Sequence, residues 1–193
     1  MFLYVNNFGE IMKNNIKEKT IDSKTVYDGK IVNLRIDTVE VSKKGITKRE
    51  IISHPGGVAC VAINEEGKIL LVSQFRKAFD LSVTEIPAGK LEKGENPDDA
   101  IVREIKEETG YDLIDVKKKF IYYPSPGYTN EIGHMYFGKA VNRGKTHFDT
   151  FEDIELLEVT LDKALDMIKN DEIRDAKTIM GILCYACEQN KKF

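Results

Sequence analysis

The chain has 193 residues, 32% charged and 41% hydrophobic, with a formal net charge of −3. This suits a soluble globular protein with one real core and a small appendage. It supplies no basic footprint for nucleic acid, and no apolar run approaches the roughly 20 residues of a membrane-spanning helix.

Residues 1–22 are polar with scattered apolar side chains and read as a weakly ordered arm. Met1-Phe2-Leu3-Tyr4-Val5 has no basic leader and runs into Asn6-Asn7, so it does not read as a signal peptide; Met12 is an alternative start. A cytoplasmic location is the resulting expectation. From Thr25 to Ser53 the pattern predicts strands. Ile31, Leu34 and Ile36, then Val39 and Val41, fall on partly alternating positions, Lys43-Lys44-Gly45 turns, and Thr47–Ile52 returns. Such a sheet is too small to stand alone and needs the main domain or a partner subunit to cover its apolar face.

His54-Pro55-Gly56-Gly57 breaks the pattern. Val58–Ile63 and Ile69–Phe75 predict buried strands around the turn Asn64–Lys68, and Ile86-Pro87-Ala88 reads as a strand end. Val116–Tyr123, Ile132–Val141 and Leu156–Leu161 predict further strands, followed by helices over Leu161–Lys169 and Asp175–Gln189. Strands mixed with helices in this order predict an α/β/α sandwich, an α+β fold with a mixed sheet and a small N-terminal antiparallel sheet. Cys60 is expected in the core. Cys184 and Cys187 form a C-x2-C pair without the second pair a zinc ribbon needs, so buried structural thiols are expected there too. The odd cysteine count gives no disulfide framework. His54, His134 and His147 share no ligand spacing.

Most of the functional information lies in Gly89–Tyr111. Asn96 is a good N-cap, Pro97 suits the first helical position, Asp98 and Asp99 face the positive end of the helix dipole, and Gly110 sits where a left-handed residue ends a helix. On that helix Glu104 shares a face with Glu107 and Glu108. Like charges so spaced repel unless cations sit between them, and hard divalent cations such as Mg²⁺ prefer carboxylate oxygens together with substrate phosphates.

The segment resembles the box of the Nudix hydrolases, G-x5-E-x7-R-E-U-x-E-E-x-G-U with U a bulky apolar residue. Gly89, Glu95, Arg103, Glu104, Ile105, Glu107, Glu108 and Gly110 match it, and Tyr111 fills the last position. With average residue frequencies a chance match at a given start is below about one in a hundred million. A solvated charge run explains the glutamates but not the glycines, Glu95 and Arg103 at their spacings. The resemblance implies a Nudix domain over 56–193 behind an N-terminal β-sheet and dimerisation domain over 23–55. It also implies hydrolysis of a nucleoside diphosphate linked to another group. By it, Glu104, Glu107, Glu108 and the Ala88 carbonyl hold Mg²⁺, for which Mn²⁺ could substitute. Arg103 orients the glutamates, and Glu95 is a structural partner in the box.

A second resemblance concerns the substrate. Tyr123-Pro124-Ser125-Pro126-Gly127-Tyr128 is similar to the Ser-Pro-Gly loop of ADP-ribose pyrophosphatases, with Pro126 sixteen residues beyond Gly110. Gln74-Phe75-Arg76 and Glu85-Ile86-Pro87-Ala88-Gly89 also resemble that subfamily, as do Arg49-Glu50, His54-Pro55-Gly56 and Asp171–Gly181. The resemblance runs from about Val26 to Ala186. It implies substrate contacts at Arg76, Glu85, Pro126 and Gly127, a homodimer, and release of AMP and ribose 5-phosphate from ADP-ribose. Rival expectations are another nucleoside diphosphate sugar, such as ADP-glucose or GDP-mannose, and a sensor that binds ADP-ribose without cutting it. In Asp149-Thr150-Phe151-Glu152-Asp153 the chain departs from the subfamily. Glu152 aligns with a metal-linked catalytic glutamate, but Thr150 stands where a general base would be, and Thr is no base near neutral pH.

Overall fold

Val58, Cys60 and Ala62 alternate along the chain with Ala59 and Val61, and all five are buried. A strand buried on both faces needs cover on both, and the architecture supplies it. A computed structural model describes residues 17–42, 44–146 and 154–190. In chain order the elements are β1 (Glu18–Asp28), β2 (Asn33–Val41), β3 (Gly45–Ser53), β4 (Gly57–Asn64), β5 (Ile69–Arg76), β6 (Leu81–Glu85), β7 (Ala88–Lys90), α1 (Pro97–Thr109), β8 (Asp112–Tyr122), β9 (Gly133–Val141), β10 (Ile154–Val159), α2 (Leu161–Lys169) and α3 (Ala176–Glu188). They form two units. One runs to His54 and takes in Gly127–Asn130; the other comprises Pro55–Pro126 and the chain from Glu131 onward.

In the larger unit the main sheet runs β10-β5-β4-β9-β8, with β4 and β9 parallel and the other pairs antiparallel. On one face Ala59, Val61, Leu71 and Met135 pack with Ala164, Leu165 and Ile182 of α2 and α3. On the other, Val58, Cys60, Ala62 and Leu70 pack with Ala100, Ile101 and Ile105 of α1. Helices on both faces of a mixed sheet make the expected α/β/α sandwich. At about 25 cal/mol per Å² of apolar surface, the alternating strand residues drive both layers at once.

β4 and β5 pair only at Ile63 and Ile69 and then part. Leu81–Lys90 fills the wedge: β6 pairs with Val72–Arg76, β7 pairs with Gly57–Ala59, and Cys60 N–H donates to the Pro87 carbonyl at 3.0 Å. The strand end expected at Ile86-Pro87-Ala88 falls between two strands, since β6 stops at Glu85 and Ala88 opens β7; the start of β6 has no sequence signal because Leu81 and Ser82 are exposed. The wedge carries Glu85 and Gly89 at fixed positions in the middle of the sheet.

The smaller unit is the antiparallel sheet β1-β2-β3. Its first strand begins at Glu18, within the segment read as a weakly ordered arm. All eleven β1 residues are exposed, so no burial pattern marks the strand, and its pairing with β2 makes it. Ser23 Oγ donates to Asp37 Oδ1 at 2.6 Å and Arg35 Nε contacts both Asp37 oxygens at 3.1 Å, which together hold that carboxyl below its usual range. Gly127–Asn130 joins this unit: Ile52 N–H donates to the Tyr128 carbonyl at 2.7 Å and His54 N–H to Asn130 Oδ1 at 2.8 Å. A second correction concerns the cysteines. Cys60 is buried as expected, but Cys184 is half-buried and Cys187 exposed, because α3 presents only one side to the core.

Candidate active site

α1 begins and ends as its sequence dictates. The Asn96 side chain accepts from Asp98 N–H at 3.0 Å, Pro97 opens the helix, and Gly110 closes it at φ 75°, returning its N–H to the Lys106 carbonyl. Such an N-cap is worth about 1 kcal/mol. Tyr136 Oη donates to Asp98 Oδ1 at 2.6 Å and pins the first turn to the sheet.

Arg103 is the hub of the acidic face. Its Nε and Nη2 grip the Glu95 carboxylate at 2.9 and 3.0 Å, and its Nη1 reaches Glu104 Oε1 at 2.9 Å and Glu107 Oε2 at 3.0 Å. The planar five-donor fork makes this triple engagement available to Arg and not to Lys. Glu95 also accepts from Glu92 N–H, which fixes the loop before the helix. Burial raises the Glu104 carboxyl even with Arg103 beside it. Gly89 makes room for that carboxyl, since a Cβ there would lie 1.9 Å from Glu104 Cδ and Oε1. Glu108 Oε2 accepts from Ala88 N–H at 3.1 Å and ties the helix to β7.

Among the described residues no three carboxylate, imidazole or thiol side chains form a metal-holding group. Glu104 and Glu107 meet instead on one Arg103 nitrogen, and Glu108 is turned to the Ala88 amide. The donor chemistry still fits a hard divalent cation. The donors are carboxylate oxygens, two of them already drawn to a common positive centre, and the half-buried Glu104 carboxyl sits in a cradle that any side chain at position 89 would fill. Glu152, with Thr150, lies outside the described residues.

Arg76 and Glu85 come together across the wedge. Arg76 Nε lies 2.6 Å from Glu85 Oε1 and Nη2 lies 3.0 Å from Oε2. Burial alone would raise the Glu85 carboxyl; Arg76 and Lys177 outweigh it and hold it below the usual range. The pair opens on a cavity of about 790 Å³ whose walls include Phe79, Leu81, Arg174 and Asp175, a volume within the range of small-molecule sites. Pro126 and Gly127 fall on either side of the boundary between the two units. A Cβ at Gly127 would meet nothing within 4 Å. The sequence reading missed Lys177, Asp175 and Thr178 at the start of α3. An N-cap Asp followed two and three residues later by Lys and Thr was the available signal.

The fold, the capped acidic helix and its arginine hub define a class. The NUDIX domain model matches residues 53–180, and the chain belongs to the Nudix family of hydrolases. An ADP-ribose pyrophosphatase of Bacillus subtilis (strain 168) is 43% identical over 86% of this chain and 91% of its own length. A methanol dehydrogenase activator of Bacillus methanolicus is 42% identical, over 86% and 91%. A GDP-mannose pyrophosphatase of Citrobacter koseri is 37% identical over 69% of this chain and 74% of its own length. A crystal structure described as an ADP compounds hydrolase shares the fold with a TM-score of 0.79 at 15% identity, covering 91% of this chain and 97% of that one.

Proposed function

We propose that the protein hydrolyses the pyrophosphate of ADP-ribose, giving AMP and ribose 5-phosphate, with Mg²⁺ held by Glu104, Glu107, Glu108, the Ala88 carbonyl and Glu152. The observation that carries the reading is the Arg103 hub facing the Gly89 cradle, which gathers carboxylate charge at one fixed place. The 43% identity to an ADP-ribose pyrophosphatase supports the choice of substrate. Bound there, a divalent cation would neutralise charge developing on the pyrophosphate and lower the pKa of a water.

The chain's own residues do the rest. Arg103 holds Glu104 and Glu107 against their mutual repulsion, Gly89 lets Glu104 lie close to the backbone, and Ala88 N–H fixes Glu108. Arg76 offers the donors not committed to Glu85 to the anionic substrate, as a guanidinium does well. Pro126 and Gly127 contact the substrate, a role supported by the likeness of their loop to that of ADP-ribose pyrophosphatases, and Glu152 assists catalysis. The protein works in the cytoplasm as a homodimer, with the sheet β1-β2-β3 as the dimerisation unit. GDP-mannose is the second reading, because relatives named for it are 36–37% identical.

The test is AMP or GMP release from ADP-ribose, ADP-glucose, GDP-mannose and a dinucleoside polyphosphate, with Mg²⁺ and with EDTA. Mg²⁺-dependent turnover confined to ADP-ribose is expected. Turnover of GDP-mannose instead would keep the mechanism and replace the substrate. Tight ADP-ribose binding without turnover of any compound would make the protein a sensor.

A further inference from the structure

Glu85 is 4% exposed, yet its carboxylate serves three donors: Arg76 Nε, Arg76 Nη2 and Lys177 Nζ. A carboxylate so buried is stable as an anion only when its charge is closely matched. Lys177 is itself held in place. Its Nζ lies 3.1 Å from Asp175 Oδ1, and Asp175 Oδ2 caps α3 by accepting from Thr178 N–H at 2.9 Å and Thr178 Oγ1 at 2.6 Å. The ring then closes, since Thr178 Oγ1 accepts from Ile86 N–H at 2.8 Å, one residue after Glu85.

We infer that Lys177 is a positioning residue: it pins Glu85, Glu85 pins one edge of the Arg76 guanidinium, and the remaining donors of Arg76 are thereby aimed at the anionic substrate. Glu85 is then an anchor and not a substrate contact, and the first turn of α3 belongs to the working site. The inference rests on the reading of Arg76 as the residue that binds the substrate's anionic group.

The experiment compares Lys177→Met, Lys177→Arg, Arg76→Ala and the Lys177→Met/Arg76→Ala pair. ADP-ribose binding is measured by calorimetry in EDTA, steady-state kinetics with Mg²⁺, and thermal stability alongside. Lys177→Met is expected to weaken ADP-ribose binding and raise KM about tenfold, leaving kcat within about twofold, as expected of a lost orientation. Lys177→Arg is expected to recover most of the loss, and Lys177→Met is expected to add less than about twofold in the Arg76→Ala background, as coupled sites do. A ring that only fastens α3 would lower the melting temperature and leave binding and KM unchanged, which overturns the inference; so would full multiplication of the two effects. If Lys177→Met does not fold, Asp175→Asn gives the same reading. Asn keeps the cap but removes the charge that steadies Lys177 from that side and leaves Lys177 to Glu85 alone, so KM is expected to rise about threefold; an unchanged KM overturns the inference. Wild-type protein that neither binds nor cleaves ADP-ribose refutes the substrate, and the same comparison is then run with the compound it does cleave.

Discussion

Along Gly89–Gly110 the arginine and three of the glutamates find partners inside the same segment: Arg103 meets Glu95, Glu104 and Glu107, and Asn96 caps the helix that carries them. Along β1 all eleven residues are exposed, and Ile21, Val26 and Tyr27 stand at 52%, 52% and 59% exposure. In the first region the central network of Arg103 is local, so Glu95, Glu104 and Glu107 each have a partner within eight residues. The second is a sheet whose first strand leaves apolar side chains exposed among the described residues, and its proposed role is association with a second copy. Substitutions in the first should therefore change chemistry, and substitutions in the second should change association.

The largest effect is expected at the acidic helix. Glu108→Gln keeps an oxygen acceptor for the Ala88 amide and removes a charge, so the fold should persist while kcat falls by roughly a hundred- to a thousandfold. Initial rates with saturating Mg²⁺ check this, and near-normal turnover would remove Glu108 from the ligand set. Gly89→Ala comes next. Its Cβ would lie 1.9 Å from the Glu104 carboxyl, but that carboxyl is the end of a flexible side chain and can swing away. Melting temperature should thus move by no more than about 3 °C, while kcat falls about a hundredfold through the displaced carboxylate. A variant equally stable and equally fast would show that Glu104 does not need its cradle.

What the sequence makes legible follows the same division. The caps of α1 and the double-sided burial of β4 are local patterns, and both formed where the sequence predicted them. Helical spacing put Glu104, Glu107 and Glu108 on one face, but rotamers decide which atom each meets, and no spacing rule sends Glu108 to the Ala88 amide. β6 lacks a sequence signal although it forms a local hairpin with β5: the connecting turn Lys77-Ala78-Phe79-Asp80 has neither Gly nor Pro, and Leu81 and Ser82 are exposed. Lys177 escaped because its partner Glu85 lies 92 residues away. Cys187 was misplaced because an apolar run does not say which side of a helix turns outward.

Arg76 tests the middle ground, since its partner is distant in sequence but its proposed role is chemical. Arg76→Ala should raise KM for ADP-ribose roughly tenfold or more, hydrogen bonds to charged groups being worth about 1.5–3 kcal/mol. The Mg²⁺ dependence of the rate should not change. A KM equal to wild type would separate the Arg76–Glu85 pair from the substrate altogether.

The smallest catalytic effect is expected in the N-terminal sheet, at Ile21 and Ile46, which are 52% and 69% exposed. Replacing either with Ser removes side chains more than half exposed among the described residues, so the stability of an isolated subunit should stay within about 0.5 kcal/mol. Burying such surface in a homodimer would be worth about 25 cal/mol per Å², so the same change should weaken association. Sedimentation over a range of concentrations should show the variants dissociating at higher protein concentration than wild type, with turnover per subunit at full assembly altered less than about twofold. Unchanged association with both substitutions together would mean that this sheet is not where two copies meet. A fall in turnover without dissociation would place it beside the chemistry instead, and the contrast between the two regions would then fail.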